Sequence, residues 1–141
     1  RAAFEESLDP IFTPPWNRCM PGLGPILAAL GISVLSRDVT APPLATPGLR
    51  ECPVHVDWSR RRHGAPPDPG AVAETCAAAL RTGPVVGLLF HHAAMEIADV
   101  RRVGELLDEL SRHDCVRMVT LMAASRPSAG ASAPRAAEVI A

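Results

Sequence analysis

An apolar run of six residues, Val85-Val86-Gly87-Leu88-Leu89-Phe90, stops abruptly at two adjacent histidines, His91 and His92. A membrane span needs ~20 apolar residues, and the run is too short and too β-branched at its start for a helix. It reads as a strand buried on both faces, the kind found in parallel sheets covered by helices. Gly83-Pro84 marks its beginning. Imidazole at the carboxyl end of such a strand stands where α/β folds place their chemistry.

The flanking sequence alternates in the same way. Ala2 to Leu8 reads as the last turns of a helix, stopped by Asp9-Pro10. Ile11-Phe12-Thr13 is a short strand running into the rigid segment Pro14-Pro15-Trp16-Asn17-Arg18. Leu23, Ile26, Leu27 and Leu30 fall at helical spacing and predict a helix over Pro21–Leu30, with Gly31 as its stop. Ile32–Ser36 is the next strand, and Thr40–Arg50, with three prolines and a glycine, is an irregular loop. Pro53–Trp58 is a third strand, and Arg60–Pro67 a second loop. Asp68-Pro69 opens a helix as N-cap and first-turn proline, with Val72, Cys76, Ala79 and Leu80 as its apolar stripe. After the double histidine, about Ala94 to His113 is the strongest helical pattern, with Ile97, Val100, Val103, Leu106, Leu107 and Leu110 on one face. Val116–Leu121 is a fifth strand.

Strands alternating with helices imply a parallel α/β sheet with right-handed crossovers. A complete (β/α) barrel usually needs ~250 residues. Five strands in the domain 1–122 therefore predict the C-terminal portion of such a barrel, with a small open sheet as the other solution. Residues 123–141 are rich in Ala, Ser and Pro and read as a disordered tail. At 141 residues and 48% hydrophobic content there is material for one core. The formal net charge of −1 argues against a broad nucleic-acid footprint, and no membrane segment or basic amphipathic helix is evident. The chain opens on Arg1 without a signal-peptide pattern, as a fragment or processed product does. The compartment stays open. Cys19, Cys52, Cys76 and Cys115 have no zinc-ligand spacing and read as free thiols.

Three polar clusters each follow a strand: Trp16-Asn17-Arg18, Asp57-Trp58 and His91-His92. Parallel strands would bring all three to one rim. A carboxylate beside an imidazole fixes the ring and favours its charged form, which suits a general acid. Indole offers a flat apolar face to a sugar ring. His55, His63 and His113 read as ordinary residues, the last favoured by its place near a helix C-terminus. His55, Asp57, His91 and His92 could also make a metal site of their own.

In this order and spacing, Pro14-Pro15-Trp16-Asn17-Arg18, His55-Val56-Asp57-Trp58 and Gly87-Leu88-Leu89-Phe90-His91-His92 resemble the later motifs of the polysaccharide deacetylases, the NodB-like carbohydrate esterases. The resemblance runs from about Phe4 to Leu121. It implies a distorted (β/α) barrel that removes acetyl groups from N-acetylated sugars with a divalent metal, commonly zinc. His91 would then be the general acid, with Asp57 as its carboxylate partner. Trp16, Trp58 and His92 would line the carbohydrate site, and Arg18 would stand in for the arginine that orients the catalytic base. The family's usual arginine position is Thr13 here, and its additional carboxylate is Val54. The metal-binding motifs would precede Arg1, so this stretch by itself is expected to be inactive. A carbohydrate-binding relative without catalysis is the other reading. A part of a barrel also leaves strand edges uncovered, which predicts marginal stability or self-association.

Overall fold

The computed structural model describes residues 8–58, 68–126 and 137–140. In chain order it forms β1 (Ile11–Phe12), α1 (Leu23–Ala29), β2 (Val34–Asp38), β3 (Arg50–Asp57), α2 (Pro69–Thr82), β4 (Val85–Leu89), α3 (Ile97–Ser111), β5 (Val116–Val119), α4 (Leu121–Ser125) and β6 (Ala137–Ile140). The β1–β2, β3–β4, β4–β6 and β5–β6 ladders are all parallel. This is the alternating α/β class that the sequence implies. The chain divides into two compact units, Arg1–Pro53 and Val54–Ala141, with the boundary inside β3. The expected helix end before Leu8, the loop with His63 and most of the alanine-rich tail lie outside the described residues.

In the first unit, Ile11 and Phe12 pair with Val34 and Leu35, and the Arg50 N–H donates to the Ser33 carbonyl at 2.8 Å. Leu27 of α1 packs with Leu35 and Leu49, joined by Phe12, Leu23, Ile32 and Leu44. The helix ends as the sequence predicts. Gly31 takes φ 76°, its N–H donates to Ala28, and the Ile32 N–H reaches back to Leu27, both at 3.0 Å. That is the Schellman arrangement, which a glycine enters at no steric cost.

The second unit has the strand order β3-β4-β6-β5. Its core joins Val56 and Trp58, Val86 and Leu88, and Val139 of the sheet to Val72, Cys76 and Ala79 of α2 and Val103 of α3. Successive side chains alternate across a strand, so both crossover helices cover the face that carries Val56 and Val86. Asp68 caps α2 by accepting the Ala71 N–H at 2.9 Å. Glu96 and Asp99 form a capping box at the start of α3.

Several expectations need correction. β3 begins at Arg50, not Pro53, and alternates in burial along its length. β2 runs from Val34 to Asp38, two residues later than Ile32–Ser36. The fifth strand stops at Val119, because the Thr120 hydroxyl accepts the Ala123 N–H and starts α4. Part of the tail taken as disordered is β6, paired on both sides, with Val139 fully buried. On α3 the stripe is real from Val103 onward, but Ile97 is 86% exposed and Val100 58%. Among the described residues no helix is long and apolar enough to cross a membrane.

Candidate active site

β3 and β4 lie side by side with Asp57 opposite Leu89. The Trp58 N–H still donates to the Leu89 carbonyl at 3.0 Å, carrying the ladder one step past Asp57. Beyond Leu89 the chain leaves the strand. The His91 carbonyl accepts the Ala94 N–H at 2.8 Å, closing the short turn His92–Ala94. That turn holds the His91 backbone just past the strand end, and His91 Nε2 stands 3.3 Å from Asp57 Oδ1. Asp57 is largely covered, with 20% of its side chain exposed, whereas His91 is half open at 48%. The pair has a carboxylate to orient the ring and an imidazole that solvent or a ligand can reach.

The same alternation that brings Asp57 to His91 takes Trp58 away. Trp58 is 3% exposed and packs in the core with Val56, its ring 6.4 Å from Phe90. In this position it offers no ring face to a ligand, and its Nε1 has no hydrogen-bond partner among the described residues. His92 is exposed in the turn after His91. The remaining candidates belong to the first unit. Trp16 is 91% exposed, in a turn where it and Asn17 take φ 58° and 55°. Arg18 follows that turn, exposed, with its N–H donating to Pro15. The structure thus joins Asp57 to His91 and sets Trp58 apart from them.

His55 has a role that its sequence context hides. The β3–β4 register shifts between Val54 and Val56, and at that bulge the Gly87 N–H donates to His55 Nδ1 at 3.1 Å. A side-chain nitrogen replaces a ladder carbonyl, so the donor freed by the bulge is satisfied. An acceptor at Nδ1 places the imidazole proton on Nε2 in the neutral ring. Among the described residues no three His, Cys, Asp or Glu side chains converge on a possible metal position. That holds for the His55, Asp57, His91 and His92 set as well.

Sequence reasoning also passed over a buried ion pair in the first unit. Arg37 Nε and Nη2 donate to Glu51 Oε2 at 3.0 and 2.7 Å. Burial pushes the Glu51 carboxyl up, but the hydrogen bond from Arg37, the Leu44 N–H and the charge of Arg37 outweigh it and hold it below its ordinary value. The available signal was a pair of opposite charges inside apolar strand sequence. The four cysteines are free thiols.

No family model, no curated protein and no solved structure matches the chain.

Proposed function

We propose that the chain is the C-terminal part of the catalytic domain of a sugar N-deacetylase of the polysaccharide deacetylase type. His91 protonates the leaving amine, and Asp57 orients the imidazole. The observation that carries this reading is the 3.3 Å contact between His91 Nε2 and Asp57 Oδ1 at the ends of neighbouring parallel strands. Hydrolysis of an acetamide breaks the C–N bond, and the departing nitrogen must gain a proton as acetate leaves. With Nε2 turned to the carboxylate, Nδ1 of the protonated ring is the nitrogen that supplies it. The divalent metal of this reading, zinc in the resemblance, would be held by residues preceding Arg1. The substrate is an N-acetylated sugar or polysaccharide.

A partial (β/α) barrel agrees with α2 and α3 both packing on one face of the second unit's sheet, which leaves Asp57 and His91 toward the other face. The strand β6 lies between β4 and β5 and pairs with both, which departs from the sequential strand order of a barrel and favours the small open sheet, the other solution for the fold.

The test uses the complete protein and N-acetylglucosamine oligomers, with acetate release as the readout. General acid catalysis contributes about 10²–10⁴-fold, so His91→Ala should lose activity on that scale, and Asp57→Asn less, with metal content unchanged in both. Full turnover by His91→Ala overturns the assignment. The exposed Trp16 favours a second reading, a carbohydrate-binding protein without catalysis. It predicts quenching of Trp emission by those oligomers that disappears in Trp16→Phe, with no acetate released.

A further inference from the structure

β3 is bulged just before the carboxylate of the candidate site, and the residue at the bulge is His55. Val54 pairs with Gly87 and Val56 with Leu88, two steps along β3 against one along β4. From there the ladder runs on with Asp57 opposite Leu89. Continued without the bulge, the Val54 register would set Val56 opposite Leu89 and Asp57 opposite Phe90. Paired residues of neighbouring strands share a face, and a slip of one residue sends a side chain to the other. Phe90 packs against the core that Leu88 shares with α2 and α3. An Asp57 paired with Phe90 would therefore turn toward that core and away from His91. The extra residue keeps Asp57 beside Leu89, where its Oδ1 lies 3.3 Å from His91 Nε2.

A bulge persists when the backbone donor it frees finds another acceptor. Gly87 is buried, and its N–H donates to His55 Nδ1 at 3.1 Å. Two residues on, the Leu89 carbonyl accepts the Trp58 N–H at 3.0 Å. These bonds bracket the segment that carries Asp57, and only the first depends on a side chain. A buried N–H stripped of its acceptor weighs ~5- to 150-fold against the arrangement that strands it. In a regular parallel ladder a carbonyl of the partner strand would take that N–H, so the penalty falls on the bulged register alone.

We propose that His55 is a positioning residue for the Asp57–His91 pair, its Nδ1 holding the bulged register that sets the carboxylate beside the imidazole, a role that rests on the dyad of the proposed function but not on the reaction assigned to that dyad. Two substitutions separate the ring nitrogens of His55. Asparagine carries its amide oxygen close to where Nδ1 stands, whereas glutamine carries its amide one bond further out, near the place of Nε2. NOEs between the His91 ring protons and the Asp57 β-protons, recorded on the isotope-labelled chain, report the dyad. They should be present in the parent, be kept by His55→Asn, and weaken several-fold or vanish in His55→Gln, with dispersed amide spectra throughout. A fall in stability alone would leave the NOEs of the folded population unchanged. The ring-nitrogen shifts of the parent His55, at mildly alkaline pH, should show a bare Nδ1 and a protonated Nε2. If His55→Gln does not fold, His55→Ala removes the acceptor without adding bulk and is read in the same way. NOEs undiminished in a folded His55→Gln, NOEs lost in His55→Asn, or a proton on Nδ1 each overturn the proposal. Their absence from the parent removes the dyad itself and the proposal with it. None of these readouts uses acetate release, so a complete protein that releases none while keeping the NOEs refutes the deacetylase reading alone.

Discussion

Replacing the two partners of the Arg37–Glu51 pair separately and together gives three different costs that follow from their burial. Breaking a buried pair by removing one charge costs about 3–5 kcal/mol, because the other charge is left uncompensated. The pair is asymmetric: 5% of the Arg37 side chain is exposed against 26% of Glu51. Glu51→Leu strands the deeper guanidinium and also removes the acceptor of the Leu44 N–H. It belongs at the upper end, about 4–5 kcal/mol. Arg37→Met leaves a carboxylate that already reaches water, so its cost falls to about 2–3 kcal/mol. The double variant carries no stranded charge and should cost less than the sum of the two by about 2 kcal/mol or more. Urea unfolding, followed by far-UV circular dichroism and by Trp emission, measures all three. Coincidence of the two signals tests whether one free energy describes each variant. A Glu51→Leu cost below that of Arg37→Met, or strict additivity, refutes the reasoning from burial. The same pair sets an acid dependence. With the folded pKa of Glu51 held below its ordinary 4.5, its contribution is present above that value. It is lost as pH falls through the folded pKa, where the unfolded chain binds the proton first. Glu51→Gln should therefore narrow its stability deficit against the parent chain as the pH drops below about 4.5. A deficit that widens there is the contrary result.

Two further outcomes follow from close packing and from burial. A Cβ at position 24 would overlap Thr46 Oγ1 and sit 3.1 Å from Thr46 Cβ, so Gly24→Ala should destabilise by about 1–2 kcal/mol despite the better helix propensity of alanine. Adding Thr46→Gly should recover part of that loss in thermal unfolding, and a stabilised Gly24→Ala single variant would contradict the close approach. Ellman's reagent at neutral pH should label exposed Cys115 first and half-buried Cys19 next, with Cys52 and Cys76 last. Burial pushes both of the last two thiols up, which lowers their thiolate fraction as well as their access. Labelling of Cys76 as fast as Cys115 would show that the core opens on that timescale.

What the sequence made legible were features whose signals are local. Asp68-Pro69 starts α2, Gly31 ends α1, and the apolar run before His91 is a strand buried between two neighbours. β6 was illegible because its stability is not local. Its four residues include Ala137 and Glu138, both weak strand formers. The strand holds because β4 and β5 supply ladder bonds on both edges and because Arg117 pairs with the buried Glu138. Nothing within a short window encodes those partners. Helical spacing likewise identified the stripe of α3 but not where packing against it begins, so it counted the exposed Ile97 with the buried Val103.

Trp58 is a different kind of error, since the rule that excludes it was available from the sequence. Adjacent residues of one strand face opposite ways, so Asp57 and Trp58 could not both line one cleft while the strand stayed regular. Applying that period places Val56 and Trp58 in the core and turns His55 and Asp57 to the other side, where His55 takes up the Gly87 N–H. The next strand repeats the logic, with Val86, Leu88 and Phe90 inward and His91 outward. The face shared by His55, Asp57 and His91 is the one opposite α2 and α3 in the second unit. It is therefore the sheet face, more than the count of polar residues at strand ends, that selects which of the candidates can act together.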